Sequence, residues 1–239
     1  MSLRLEVYPT DAEAFDAAAA LAAERLRAGG SRVALAGGRG GRGVMVALAG
    51  RDDVPWDRIE WFWGDERCVP ADDPQSNVRL ARESLLVPRR IPAARIHPPP
   101  VELGDPAHIA SAYAETVDGQ PFDVIFLGVG KNTHIASLMP GCAALGATVP
   151  VAPVRVEEVS EDPIVPRITV TPPVLTAARH VIVTVVGEEK AAVVAASMRD
   201  PVDATRIPAH LVRPSERVTW VVDRAAAGEL LRDARPAGN

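Results

Sequence analysis

Apolar residues along this chain fall into two kinds of run, one alternating or helically spaced, the other short and unbroken. Residues 3–8 alternate and read as a strand. Asp11 is placed to cap the long alanine-rich helix that follows to about Ala28, and Gly29-Gly30 to end it. Short runs rich in apolar residues at 33–36, 59–63, 122–127 and 181–186 read as buried strands, with further strands at 168–170 and 218–222. Between them the pattern predicts helices at 43–49, from Ser76 or Asn77 through Leu86, at 106–116, from Pro172 to about Arg179, at 188–198, and after Asp223. Thr171 followed by Pro172 is an N-cap with proline at the first helical position.

Strands alternate with helices throughout, and unbroken apolar strands belong to a parallel sheet buried on both faces. The expected fold is α/β: a three-layer α/β/α, Rossmann-like arrangement, with a mostly parallel sheet and helices on both faces. No repeat or low-complexity linker divides the chain, so one domain over residues 1–239 is expected. Such sheets bind ligands beyond the C-terminal ends of their strands. The loops after Ala36, Trp63, Leu127 and Val186 are therefore the places to look for chemistry.

Composition narrows the classes. With 47% hydrophobic and 24% charged residues in 239, the chain has an ordinary globular balance, which excludes wholesale disorder. Aromatics are only 4%, so Ala, Val and Leu must build the core. The formal net charge of −5 disfavours nucleic acid as a partner. No apolar run approaches the ~20 residues of a membrane span, and residues 1–7 lack a signal-peptide core. Cys68 and Cys142 cannot form a disulfide framework and read as reduced thiols. A cytoplasmic monomer with a small-molecule partner, no membrane and no nucleic acid is expected.

Three segments carry candidate chemistry. Gly37-Gly38-Arg39-Gly40-Gly41-Arg42-Gly43 follows a strand and opens a helix, where backbone N–H groups and the helix dipole favour a phosphate. Its Gly38-x-Gly40-x-x-Gly43 spacing also matches a dinucleotide fingerprint, with Asp65 near the position of the ribose-binding acid. Trp63-Gly64-Asp65-Glu66-Arg67-Cys68-Val69-Pro70 places three charges directly after a strand, and Arg67 suits an anion. Gly128-Val129-Gly130-Lys131-Asn132-Thr133-His134 fails as a Walker loop, because Ile125 stands at the first glycine position and Asn132 replaces Ser/Thr. It does place His134 after a strand and a glycine turn, where an imidazole can act as a base near neutral pH. Arg167 and Lys190 flank strand ends as further anion partners. No Cys/His cluster has metal-ligand spacing, so no metal is expected.

In their order and spacing these segments, with Ser76-Asn77, His134-Ile135-Ala136-Ser137-Leu138-Met139-Pro140-Gly141, Arg167-Ile168-Thr169, Gly187-Glu188-Glu189-Lys190-Ala191 and Pro208-Ala209, resemble the 6-phosphogluconolactonase family. That family lies in a wider group with glucosamine-6-phosphate deaminases and ribose-5-phosphate isomerases. The resemblance covers nearly the whole chain. It implies a carboxylic ester hydrolase that opens 6-phospho-D-glucono-1,5-lactone to 6-phosphogluconate in the pentose phosphate pathway, with no cofactor. Carried over by position, Gly37, Gly38, Arg39 and Gly40, with Arg167 and Lys190, would meet the phosphate, and Arg67 would line the pocket. His134, Asp65 and Asn132 would form the reacting group, His134 activating the attacking water. Arg39, Arg42, Arg67, Arg167 and Lys190 are expected to make a positive pocket on a negative protein.

The chain departs from the family pattern at two places. Arg39-Gly40-Gly41 stands where the family usually has Ser-Thr-Pro, and Lys131-Asn132-Thr133-His134 where it usually has Pro-Asp-Gly-His. Asn132 cannot carry the negative charge that would support a protonated imidazole, so a weakened base is expected at His134. Thr133 strains the turn if its φ is positive. Two alternatives stay open: a divergent sugar-phosphate-binding homologue with weak or no activity, and a dinucleotide-binding oxidoreductase.

Overall fold

The computed structural model describes residues 4–233. Six parallel strands form the main sheet: β1 (Leu5–Tyr8), β2 (Arg32–Leu35), β3 (Glu60–Trp63), β5 (Val124–Leu127), β8 (Val181–Val185) and β9 (Val218–Asp223), in the spatial order β1-β9-β8-β5-β2-β3. A smaller antiparallel sheet, β4-β7-β6, is made of β4 (Asp65–Arg67), β6 (Val151–Val154) and β7 (Arg167–Val170). The helices are α1 (Asp11–Arg27), α2 (Gly38–Ala49), α3 (Asn77–Ala81), α4 (Pro106–Val117), α5 (Pro172–Ala177), α6 (Ala191–Met198) and α7 (Gly228–Asp233).

The unbroken apolar strands are explained by burial on both faces. Val33, Leu35, Val124, Phe126, Ile182 and Val221 point into one core with α1, α2 and α3. Their neighbours Ala34, Ile125, Leu127, Val181, Val183 and Trp220 point into the other, with α4, α5, α6 and the small sheet. The three-layer α/β/α arrangement follows. On α1 the inward face is Ala14, Ala18, Ala19, Ala22, Ala23 and Leu26, small side chains that let the helix lie close to the sheet in a chain poor in aromatics.

Three expectations are corrected. The cap of α1 is Thr10 rather than Asp11: its hydroxyl accepts from the Glu13 N–H and the Glu13 carboxylate accepts from the Thr10 N–H, a reciprocal capping box that Asp11 has no partner to complete. The glycine-rich segment is not a loop before a helix at Gly43. It is the first turn of α2 itself, which begins at Gly38. Glycine weakens a helix by about 1 kcal/mol per position, but here contact requires it. A Cβ on Gly41 would lie 2.2 Å from the Ala36 carbonyl oxygen, and one on Gly43 would lie 2.4 Å from the Phe15 ring. The charged segment after Trp63 is a strand, β4, paired with β7. Residue 3, part of the expected first strand, lies outside the described residues, while Leu5–Tyr8 of that strand form β1.

The chain leaves β2 toward β3 in one direction and, after β4, resumes at β5 and runs outward through β8 in the other. The switch point therefore lies between β2 and β5, where an open α/β sheet leaves a crevice at its C-terminal edge.

Candidate active site

A cleft of about 280 Å³ occupies that crevice. Gly37, Gly38, Arg39 and Gly40 line it from the start of α2, and Asp65 and Arg67 from β4. Gly128, Gly130 and His134 come from the loop after β5, Arg167 from β7, and Lys190 from the turn after β8. Every residue expected to meet the phosphate or line the pocket, Arg42 apart, thus reaches one space. Arg42 does not; it lines a neighbouring groove with Phe15, Val46 and Leu80. Asn132 does not line the cleft either, and stands behind His134.

His134 is held by a set of contacts that selects its tautomer. The backbone N–H of His134 donates to Asn132 Oδ1 over 3.1 Å, and Asn132 Nδ2 donates to Ser160 Oγ over 2.7 Å. The amide oxygen must therefore face His134. Its ring Nδ1 lies 2.6 Å from that oxygen, so Nδ1 carries a hydrogen and Nε2 is the nitrogen with the lone pair in the neutral ring. The ring packs over Gly130, where a Cβ would lie 2.1 Å from both Cε1 and Nδ1. Thr133, at φ 70°, and Ala136, at φ 48°, are non-glycine residues in the left-handed region on either side of it. The strain expected at Thr133 is present, and its buried hydroxyl has no hydrogen-bond partner.

Glu161 stands beside His134 and is a residue that sequence reasoning missed. Its Oε2 lies 3.5 Å from His134 Nδ1 and accepts the Lys131 N–H over 2.6 Å. The His134 imidazole, when it carries a proton on both nitrogens, holds the Glu161 carboxyl down at about 2 against partial burial, with Lys190 and the Lys131 N–H adding to the effect. A negative charge thus stands beside His134 from the 155–166 connection, not from position 132. In sequence Glu161 is one of several acids in that connection, with no spacing to single it out.

Arg167, almost wholly buried, donates through Nη2 to the backbone oxygens of Glu161 at 2.7 Å and Pro163 at 2.9 Å. It thus holds the segment that presents Glu161. Lys190 Nζ donates to the Val129 carbonyl over 2.7 Å, and burial pulls its pKa below the usual lysine range. Arg67 Nη1 donates to Asn77 Oδ1 at 2.6 Å and to the Gln75 carbonyl at 2.7 Å. Arg39 pairs with Asp11 at 2.8 Å and lies 3.7 Å from Glu189.

Glu66 faces away from the cleft. Its carboxylate gathers the N–H groups of Arg67, Asn77 and Val78, which ties β4 to the start of α3; burial pushes its pKa up to about 7 against those donors.

The positive pocket is also corrected. Arg39, Arg67, Arg167 and Lys190 line the cleft together with Asp65, Glu161, Asp162 and Glu189, so the fixed charges cancel. Among the described residues no group of three His, Cys, Asp or Glu side chains is arranged to hold a metal ion, and no helix is long and apolar enough to cross a membrane. Both cysteines are unpaired.

The family model for glucosamine-6-phosphate isomerases/6-phosphogluconolactonase matches residues 9–220. The chain belongs to that family. It is 36% identical over 213 residues to a 6-phosphogluconolactonase of Synechocystis sp., covering 85% of this chain and 86% of that one. It is 35% identical over 225 residues to a 6-phosphogluconolactonase of Streptomyces coelicolor, covering 87% and 85%. The solved 6-phosphogluconolactonase of Trypanosoma brucei superposes with a TM-score of 0.81 at 28% identity, over 96% of this chain and 99% of that one. A monomeric glucosamine-6-phosphate deaminase reaches a TM-score of 0.82 at 20% identity, over 95% and 99%, and shares the fold.

Proposed function

We propose that the protein hydrolyses 6-phospho-D-glucono-1,5-lactone to 6-phosphogluconate, with His134 as the general base. The observation that carries this reading is the imidazole at the switch point: Nδ1 is committed to Asn132, leaving Nε2 as the basic nitrogen of a cleft residue. The first turn of α2, which leaves its N–H groups free of helical partners, and Lys190 supply an anion site for the phosphate. Arg167 lines the same space, although its Nη2 is occupied by backbone oxygens. The named relatives are lactonases over most of both chains.

In the reaction, Nε2 takes a proton from water as the water oxygen bonds to the lactone carbonyl carbon. The tetrahedral oxyanion collapses, the ring C–O bond breaks, and the proton on Nε2 passes to the departing hydroxyl oxygen. The product acid then loses its proton to solvent. Water and one activated ester suffice, so the reading invokes no cofactor and no covalent intermediate. It takes the chain as one domain acting as a monomer.

The test is lactone hydrolysis corrected for spontaneous opening. His134→Ala is expected to lower kcat by ~10²–10⁴. Equal rates in wild type and variant would remove His134 from this role. Asn132 and Arg39 motivate the alternative of a sugar-phosphate-binding protein without activity, and a wild type no faster than spontaneous opening would favour it.

A further inference from the structure

We propose that Glu161 is the positioning acid of His134, supplying from the 155–166 connection the negative charge that Asn132 cannot carry. The inference rests on the reading of His134 as the base. Two features of the site locate the carboxylate. Oε2 lies 3.5 Å from Nδ1, while Asn132 Oδ1 takes the Nδ1 hydrogen at 2.6 Å. The division of labour follows: Asn132 sets the tautomer by a hydrogen bond, and Glu161 sets the charge environment.

The placement of Glu161 is built. Lys131 donates its backbone N–H to Oε2 at 2.6 Å, so the carboxylate is tied to the same turn that carries His134. Arg167 grips the Glu161 and Pro163 carbonyls at 2.7 and 2.9 Å, which holds the backbone. Ser160, the preceding residue, receives Asn132 Nδ2 at 2.7 Å. One short segment thus contacts both residues that address Nδ1. Gly130 is the other requirement, since a Cβ there would lie 2.7 Å from Glu161 Oε2 as well as against the imidazole.

When Nε2 takes the proton from water, the ring becomes a cation. A carboxylate beside Nδ1 stabilises that cation, and so raises the basicity of Nε2 and stabilises the charge that develops in the transition state. The charged groups facing Glu161 are His134 on the loop after β5, Lys190 after β8 and Arg167 on β7. Arg167 keeps its charge across the range in which an imidazole titrates, and the ring resonances of His134 separate its titration from that of Lys190.

The experiment compares wild type with Glu161→Gln, Glu161→Asp, and Glu161→Gln combined with Asn132→Asp. Glu161→Gln is expected to lower kcat ~10-fold or more with KM within ~2-fold, and to move the acid limb of kcat/KM to lower pH. Glu161→Asp should retain part of the rate, and Asn132→Asp should restore kcat and the limb in the Gln background. NMR titration of the His134 imidazole is run in parallel, and its midpoint should fall in Glu161→Gln and recover in the double variant. An unchanged midpoint in Glu161→Gln overturns the proposal, as does a rate loss with no movement of the acid limb. If wild type does not hydrolyse the lactone above background, the functional reading falls, and the NMR titration still decides the pairing.

Discussion

Asp65 and Ser137 stand 72 positions apart, and the Ser137 hydroxyl donates to Asp65 Oδ2 over 2.6 Å. Asn77 Nδ2 donates to the Asp65 backbone oxygen at 3.0 Å, and the Ser137 N–H donates to Thr169 Oγ1 at 3.1 Å. These bonds join the His134 loop to the small sheet. Asp65 therefore lines the cleft as a tie between two segments, with one carboxylate oxygen already engaged. Ser137→Ala strips a buried carboxylate oxygen of its donor and is expected to cost about 1–3 kcal/mol. For a chain of this size that is about 2–4 °C in Tm per kcal/mol. A double-mutant cycle with Asp65→Asn, read by urea unfolding, should give a coupling of about 0.5–3 kcal/mol. Additive effects would show that the bond carries no coupling.

Gly130→Ala should separate fold from activity. The glycine φ lies outside the left-handed region, so alanine adopts the backbone without strain. Its methyl group would meet the imidazole at 2.1 Å. Displacing the ring should lower kcat by ~10² or more and leave the urea midpoint close to wild type. A variant as active as wild type would show that the ring does not react from its observed position.

Thr133→Gly should stabilise the protein. Relief of a left-handed φ at a β-branched residue, and removal of a buried hydroxyl with no partner, oppose the extra chain entropy of glycine. The net gain is expected at about 1 kcal/mol, measured as an increase in the urea midpoint. A loss of stability would mean that the Thr133 side chain makes a contribution larger than the strain.

Acid should weaken the fold through Glu161. Its carboxyl is held at about 2, below the ordinary glutamate value of 4.5. A depressed carboxyl contributes stability that is present above the unfolded value and lost as pH falls through the folded one. The loss should run from about pH 4.5 toward 2, and Glu161→Gln should show a shallower decline in its unfolding midpoint there. Parallel declines would indicate that other carboxylates govern the acid limb.

The main sheet was legible because each of its central strands is buried on both sides, which writes an unbroken apolar run into the sequence. Of the small sheet only β7 was legible, as the strand at 168–170. β4 is Asp65-Glu66-Arg67, three charges whose burial is made possible by partners far along the chain: Ser137 for Asp65, and the N–H groups at the start of α3 for Glu66. β6 contains Pro153, tolerated because β6 is an edge strand of the small sheet. The cleft residues were legible as types at strand ends. The partner of His134 was not, because a carboxylate acting through space needs no sequence spacing. The glycines of α2 read as loop for the same reason: contact with Phe15 and the Ala36 carbonyl, not local preference, requires them.

The cancellation of fixed charges in the cleft bears on how a ligand arrives. A cavity with four cations and no anions would throw a field well past its mouth and draw in a phosphorylated molecule from a distance. Here four acids share the lining with the four cations, and the chain as a whole is at −5. Beyond about 8–10 Å in physiological salt little attraction survives. A doubly charged sugar phosphate would then reach the mouth by unassisted diffusion, with an encounter rate almost indifferent to ionic strength. Discrimination would begin only at contact, when the incoming oxygens compete with Glu189 and with the Val129, Glu161 and Pro163 carbonyls for cations that are already partnered.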